Sequence, residues 1–420
     1  MSDANLIPDL RFPKYSTNWV KKPFGSIYSF KTTNSFSREM LNYEQGELKN
    51  IHYGDIHTKF NLLFDIVKEN VPFINSDIKI SGIAEENYVQ TGDLVIADAS
   101  EDYNDIGKSI EVVNLNGEKV LAGLHTLLAR RKSNEMASGF AAFLMKTPKV
   151  RLEIKRIAQG SKVLGISTTR LVDIPLCIPH HSEQQKIALF LTTIEKRITL
   201  LTQKKLKLEQ YKKGVMQKLF CKVVEFKDED GKAFPKWKEK ILGNEFEIIG
   251  GGTPETTKKE YWGGNIQWYT PTELNKKYVA ESLRTISKLG LKKSSAKILP
   301  KGTLLFTSRA TVGVISIARK ECSTNQGFQS FLPNAKNEIE FLYYWILNNK
   351  KEFIRRSSGS TFLEISKSEI QKMIIFLPTK FEQQKIASFL SSIDMKIEKV
   401  AIQIEFSVEF KKGLLQKMFA

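Results

Sequence analysis

Two stretches decide how this chain is organised. Ile178–Phe220 reads IPHHSEQQKIALFLTTIEKRITLLTQKKLKLEQYKKGVMQKLF, and Leu377–Phe419 reads LPTKFEQQKIASFLSSIDMKIEKVAIQIEFSVEFKKGLLQKMF. They align without a gap at an offset of 199 residues, and 17 of the 43 positions are identical. That is far above chance, so the chain contains an internal repeat. EQQKIA stands at Glu183–Ala188 and again at Glu382–Ala387, and Lys-Lys-Gly at Lys212–Gly214 and Lys411–Gly413.

Each copy predicts a long helix. Pro179 and Pro378 stand where a helix begins. Ser182 with Gln185, and Thr379 with Glu382, have the spacing of a capping box. Apolar residues then recur four and three apart: Ile187, Leu191, Ile194, Ile198 and Leu201 in the first copy, and Ile386, Leu390, Ile393, Ile397, Val400 and Ile404 in the second. This is a coiled-coil seam, with a break expected at Lys205 and at Ser407. No proline interrupts either run. A helix of about 38 residues is a rod of about 57 Å at 1.5 Å per residue. An amphipathic helix lying on one small domain rarely needs such length.

The repeat extends upstream. Gly160-Ser161 and Ile166-Ser167 match Gly359-Ser360 and Ile365-Ser366. Phe12-Pro13-Lys14 echoes Phe234-Pro235-Lys236, and Trp19 and Gly25 echo Trp237 and Gly243 at equal spacing. Between these landmarks lie two variable regions of mixed character. The second has strand-like runs at Ile266–Tyr269, Gly302–Thr307, Val312–Ala318 and Gln329–Leu332, then a helical stretch at Ile339–Ile354. Turn signals at Gly250–Gly252 and Gly263-Gly264 punctuate them. The first has strand-like runs at Gly92–Ala97 and Ser109–Leu115 and a helical run at Glu135–Met145. Two α/β domains of one architecture with unlike surfaces are what readers of two different targets would look like.

Composition narrows the partner. The 420 residues carry 64 Lys and Arg against 46 Asp and Glu, a net charge of +18 with pI near 9.5. An excess of this size, spread along the whole chain, points to nucleic acid over a membrane surface, which would want one concentrated basic helix. With 41% hydrophobic and 26% charged residues the chain is ordinary globular material. Its apolar runs, such as Phe341–Leu347, are too short for a membrane span. Met1–Asp9 has no apolar stretch, so no secretory signal is expected. Cys177, Cys221 and Cys322 are widely spaced, which suits a reducing cytoplasm and no zinc site.

Familiar catalytic patterns fail on inspection. Gly107-Lys108-Ser109 ends like a phosphate loop, but Asp102 stands where the leading glycine belongs. Gly250–Gly252 followed by Thr253-Pro254 is a loop without the strand and helix of a dinucleotide fingerprint. His180-His181 before Glu183 lacks a third ligand nearby. Asp98, Glu153 and Lys155 could be drawn as a nuclease triad, yet such matches are frequent by chance in a lysine-rich chain. No Asn/Asp-Pro-Pro-aromatic motif of an amino-methyltransferase occurs.

Taken together, two variable regions, each followed by Pro-x3-EQQKIA-x-FL-x2-I-(Asp/Glu)-x2-I and KKG-x2-QK-(Leu/Met)-Phe, resemble the specificity subunit of type I restriction–modification systems. In the second half, GGTP at Gly251–Pro254, YWGG at Tyr261–Gly264 and TSRATVG at Thr307–Gly313 resemble a common target-recognition-domain type. The resemblance implies a mixed α/β fold with two similar recognition domains, separated by two long antiparallel coiled-coil helices in a pseudo-twofold repeat. The expected division is residues 1–177, first recognition domain; 178–222, central spacer helix; 223–376, second recognition domain; 377–420, C-terminal spacer helix. It implies a non-catalytic cytoplasmic subunit that reads a bipartite site in double-stranded DNA. Two methyltransferase subunits, which methylate adenine N6, and ATP-dependent restriction subunits would be its partners. S-adenosylmethionine, ATP and Mg²⁺ would sit in those partners, with no cofactor in this chain.

Candidate DNA-contacting residues lie in loops beside the strand-like runs: Tyr53, His57, Lys59 and Asn61 in the first domain; Thr253, Lys258, Tyr261, Trp268, Thr272, Ser308, Arg309 and Gln326 in the second. Arg309 is the first choice for reading a base, because arginine to guanine is the commonest specific contact; a phosphate clamp is the competing role. Tyr261 and Trp268 also suit loop or core packing. Two other classes stay open at this point. An autonomous nuclease or methyltransferase would cleave or methylate DNA alone, and a coiled-coil scaffold would show no salt-dependent DNA binding.

Overall fold

The computed structural model describes residues 6–80, 82–359 and 363–420. By its contacts the chain forms two compact units: Met1–Thr202 with Ile402–Ala420, and Gln203–Ala401. The two long helices run His181–Phe220 and Lys380–Lys417. Each therefore begins in one unit and ends in the other.

Both units carry the same frame. In the first, a five-stranded sheet has the order Tyr28–Lys31, Thr126–Arg131, Leu94–Ala97, Ser109–Asn114, Leu63–Asp65. In the second the order is Ile248–Gly250, Gln329–Phe331, Leu304–Phe306, Ile315–Ala318, Tyr278–Val279. The last strand is parallel to its neighbour in both, and the other pairs are antiparallel. A two-stranded ribbon leads into each long helix: Val20–Pro23 with Pro175–Ile178, and Lys238–Ile241 with Ile374–Leu377. Gly25 and Gly243 abut these ribbons. A Cβ on Gly25 would meet Val172 at 2.8 Å, and one on Gly243 would meet Gln371 at 2.7 Å. The Trp–Gly echo is thus a packing constraint expressed twice. The frames differ in the accessory sheet, four-stranded in the first unit and three-stranded in the second.

The Phe-Pro-Lys echo does not mark equivalent places. Phe12 packs edge-on against Phe190, at 5.8 Å between ring centres. The corresponding Phe389 receives Phe226 at 5.5 Å, not Phe234. Helical expectations also shift. Within Glu135–Met145 only Phe140–Leu144 is helical, because Gly139 has φ 80° and its N–H donates to the buried Glu111 carboxylate at 2.6 Å. Ile339–Ile354 divides into Ile339–Asn348 and Lys350–Arg355. The first capping box is absent: the helix starts at His181, which puts Ser182 inside it. In the second, Thr379 Oγ1 accepts from Glu382 N at 3.4 Å, but the Glu382 carboxylate turns to Trp237 Nε1 at 3.1 Å. Ser360 of the Gly-Ser segment lies outside the described residues.

EQQKIA works identically in both copies at its first glutamine. Gln184 accepts from Ala137 N at 2.9 Å and donates to Pro179 O at 2.9 Å and Glu135 O at 3.1 Å. Gln383 accepts from Glu338 N at 2.8 Å and donates to Pro378 O and Asn337 Oδ1, both at 3.1 Å. Each glutamine staples the loop before a domain helix to the start of a long one.

The apolar stripe on the helices continues past the expected breaks. Ile187, Leu191 and Ile194 are buried, Ile198 and Leu201 half-buried, and the stripe goes on through Lys205, Leu208 and Lys212 to Met216 and Leu219. A lysine fits there because its methylene stem covers apolar surface while the ammonium reaches solvent. In the second helix Ile386, Leu390, Ile393 and Val400 are buried and Ile397 and Ile404 half-buried. Ser407 is buried too, its hydroxyl satisfied by Gln403 O at 2.7 Å. The far ends reach the domain cores: Leu414, Leu415, Met418 and Phe419 join Trp19 and Phe140, and Met216 and Leu219 join Phe341. In the first unit Lys411 pairs with Glu195 at 2.8 Å; in the second Lys212 pairs with Asp394 at 2.5 Å. The start of one helix therefore lies beside the end of the other within each unit, which makes the pair antiparallel. The Lys-Lys-Gly repeat contributes the lysine and the Ile-(Asp/Glu) repeat the acid.

The glutamate of EQQKIA is anchored differently in the two copies. Glu183 is fully buried and holds Arg11 through two bonds of 2.7 Å. In the second unit the residue before the packed phenylalanine is Glu225. Burial, assisted by Glu225, holds the Glu382 carboxyl above its usual range, and its Oε2 has no partner. A folded-state pKa raised in this way gives stability below the unfolded carboxylate pKa that is lost as pH rises through the folded value. Arg11→Ala should cost about 3 kcal/mol, since it strands a buried charge. Glu225→Arg should add up to about 1 kcal/mol at neutral pH and flatten that pH dependence. Urea unfolding at pH 5 and pH 8 checks both; a destabilising Glu225→Arg would refute the pairing argument.

Candidate nucleic-acid interface

Backbone hydrogen bonds match the two domains position by position and show where the candidates converge. Asp98 N donates to His125 O at 3.0 Å, and Ile166 N donates to Asp98 O at 2.9 Å. In the second domain Ser308 N donates to Gly327 O at 2.8 Å, and Ile365 N to Ser308 O at 2.9 Å. Gly123 N donates to Ile51 O at 2.9 Å, matched by Asn325 N to Tyr269 O at 3.1 Å. So one place in each domain is built from three segment ends. They are the turns after Lys49–Ile51 and Trp262–Tyr269, the loops before Thr126–Arg131 and Gln329–Phe331, and the hairpin loops opening at Asp98 and Ser308. The Ile-Ser repeat closes both.

In the second domain this place is a cavity of about 310 Å³ lined by Pro271, Arg309, Ala310, Asn325, Gln326 and Gly327. Arg309 is half-exposed and 3.7 Å from Glu364. Gln326 is exposed and its Oε1 accepts from Thr253 Oγ1. Thr272 is exposed on the neighbouring turn, its hydroxyl 3.2 Å from that of Thr270. Ser308 is buried, and its Oγ has no partner. Trp268 is buried in a small core with Ile286 and Ala296, with Nε1 donating to Gly252 O at 2.9 Å. Lys258 and Tyr261 lie at the short turn Lys259–Tyr261 that leads into the long strand, apart from the cavity lining.

The first domain fills the same place with different chemistry. Tyr53 opens the short helix Tyr53–Thr58 and meets His125 edge-on at 5.3 Å and His57 at 6.0 Å. His125 Nδ1 lies 3.3 Å from Asp98 Oδ1. Burial holds the Asp98 carboxyl above its usual range, opposed by His125. The pair stands between two cavities of about 440 Å³, one bordered by Asn34, Lys79 and Leu124, the other by Gln159, Leu164 and Arg170. His57 Nε2 is 3.0 Å from Ala99 O. Lys59 is exposed, 2.6 Å from Tyr43 OH and 3.0 Å from Asp55. Asn61 turns away from this place, to Glu69 at 2.8 Å. His125 was not among the sequence candidates, because its equivalence to Gly327 rests on strand register and leaves no trace in residue identity.

Backbone strain gathers here. Non-glycine residues at positive φ among the described residues are Asn116, His125, Lys222 and Ala310. His125 at 54° and Ala310 at 61° both belong to this site. Strained backbone of this kind concentrates where function requires a fixed loop shape.

Beneath the first-domain site, His52 caps the helix by accepting from Gly54 N at 3.1 Å. Burial, with Arg38 3.2 Å away, lowers its pKa to about 4. The stability this depressed value reports is present above the unfolded pKa near 6.5 and lost as pH falls toward 4. His52→Asn keeps a capping acceptor and removes the titration. Its stability should change less than the parent's between pH 6.5 and 4, measured by thermal unfolding; parallel pH profiles would contradict the assignment.

Among the described residues, no cluster of three or more His, Cys, Asp and Glu could hold a metal ion. The residues of the drawn triad each have other partners: Asp98 has His125, Glu153 has Arg156 at 2.6 Å, and Lys155 has Asn104 at 2.7 Å. No described helix is long and apolar enough to cross a membrane.

Comparison with known proteins bears on the family and the fold. A specificity subunit of Methanocaldococcus jannaschii, of the type I restriction enzyme MjaIX, is 39% identical over 201 residues, 46% of this chain and 46% of its own length. The chain thus aligns with about half of that relative. A second, putative specificity subunit from the same organism, of enzyme MjaX, is 27% identical over 333 residues, 77% of this chain and 76% of its own. The crystal structure of a type I restriction–modification S subunit from M. genitalium shares the fold, with TM-score 0.59 at 15% identity over 99% of both chains. The type I restriction modification DNA specificity domain matches twice, at residues 18–210 and 235–406, and the chain belongs to that family.

Proposed function

We propose that this chain reads a bipartite DNA site as the specificity subunit of a type I restriction–modification complex, without catalysing a reaction itself. The observation that carries the proposal is the duplicated site on one frame with unlike side chains. By the backbone hydrogen-bond correspondence, Tyr53, Asp98 and His125 occupy in one domain what Pro271, Ser308 and Gly327 occupy in the other, where Arg309 and Gln326 stand beside them. Two copies of one scaffold bearing different donors and acceptors suit two different half-sites, because base edges in the major groove present a distinct pattern for each pair. The net charge of +18 supplies affinity through counterion release, and the loops supply choice.

The long helices serve as the spacer and as the docking frame for two methyltransferase subunits; restriction subunits then join. Adenine N6 methylation, S-adenosylmethionine, ATP and Mg²⁺ belong to those partners. The repeated lysine–acid pairs, Lys411–Glu195 and Lys212–Asp394, give each unit an equivalent helix frame, as a partner bound twice requires. The domain division offered by the sequence, at 177, 222 and 376, is retained within this proposal as the functional one.

Replacing Val20–Val150 by the first domain of another family member should change one half of the methylated site and leave the other half unaltered. Mapping N6-methyladenine in cells that carry the chimaera with its methyltransferase checks this; joint change of both halves would end the modular account. Inserting four residues after Leu201 adds about 6 Å of rise and slightly more than one turn, a stutter that a coiled coil absorbs. The spacer between half-sites should lengthen by one or two base pairs, at about 3.4 Å each. An unchanged spacer in an active variant would show that the helices do not set the distance.

A further inference from the structure

The two long helices share their buried stripe but not their outer face. At the offset of 199 residues, Lys204, Lys207 and Tyr211 of the first helix correspond to Gln403, Phe406 and Phe410 of the second. Lys204, Lys207 and Tyr211 are exposed, and Phe406 and Phe410 are 70% and 48% exposed. The sister helix keeps exposed lysines on this face at Lys399 and Lys417, so what sets the first helix apart is Lys204 and Lys207, which stand where the sister has Gln403 and Phe406. The first helix carries nine basic and three acidic residues, the second seven and five.

At about 100° per residue, Lys204, Lys207, Tyr211 and Lys218 lie within one arc of about 60°, centred about 120° around the helix from the buried stripe. They extend over about 21 Å of helix, the rise of about six base pairs. Among the described residues none of the three lysines takes part in an ion pair, whereas Lys205 and Lys212 on the other side are paired with Glu209 and Asp394. Three unpaired ammonium groups and a phenol hydroxyl in a row offer donors without acceptors of negative charge, which is the chemistry that suits a phosphate backbone.

We infer that the outer face of the first long helix, through Lys204, Lys207, Tyr211 and Lys218, is a phosphate-binding surface that holds DNA independently of the recognition loops. The inference rests on the DNA-reading function proposed above. The contact is to backbone alone, so it adds affinity without sequence choice, and the second helix replaces Lys204, Lys207 and Tyr211 by Gln403, Phe406 and Phe410 while keeping Lys417.

The test uses the full chain with its methyltransferase subunits and a duplex carrying a mapped methylation site. Binding is measured against salt for the parent, for Lys204→Gln/Lys207→Gln/Lys218→Gln, and for Lys396→Gln/Lys399→Gln/Lys412→Gln on the second helix, which removes the same charge. The expected result is a log–log salt slope shallower by about 2 to 3 in the first variant only, at about 0.9 for each phosphate no longer neutralised, with the methylated sequence unchanged. Equal flattening in both variants would overturn the inference in favour of net charge. An unchanged slope in the first variant would overturn it outright, and so would loss of methyltransferase binding there, which would mark the face as a protein contact. Failure of the proposed function itself is seen separately, as a parent complex that does not prefer the mapped duplex.

Discussion

Everything in this molecule depends on where the two long helices end. Each leaves one unit and finishes as part of the hydrophobic core of the other, through Leu414, Met418 and Phe419 in the first unit and Met216 and Leu219 in the second. Burying such side chains contributes about 1.5–3 kcal/mol each, so neither core is complete without the helix end it receives. A helix therefore cannot be lost from one end of the chain without opening the core at the other.

Polar groups fix the register of this arrangement. Gln184 and Gln383 each satisfy three backbone or side-chain partners at a helix start, and buried groups left without partners would cost about 1–3 kcal/mol. Lys411–Glu195 and Lys212–Asp394 then set the opposite ends. The units differ in how firmly the neighbouring glutamate is held: Arg11 neutralises Glu183, while Glu382 keeps an unpartnered oxygen beside Glu225. On this frame the recognition loops are free to diverge, because the hydrogen bonds that seat them, at Asp98 and Ser308, use backbone atoms alone.

The sequence made the frame legible and left the site half hidden, for a physical reason. Packing and helix caps demand particular side chains, so Trp19/Trp237, Gly25/Gly243 and EQQKIA recur as letters. The Phe-Pro-Lys echo does not carry over to packing, because the phenylalanine that meets Phe389 is Phe226, not Phe234. The loops are positioned by strand register, which constrains no side chain. Arg309, Gln326 and Tyr53 were found from their place beside strands, whereas His125 needed the hydrogen-bond correspondence. For Trp268 the sequence offered packing beside DNA contact, and its indole is core, tied to Gly252 O.

The central claim is that two unlike readers on one duplicated frame select a two-part site. Genome-wide mapping of N6-methyladenine, in cells with and without this chain, tests it most directly. The expected result is a single motif that disappears with the chain and consists of two different half-sites at one fixed separation. A continuous motif, identical half-sites, or a methylation pattern indifferent to the chain would contradict it.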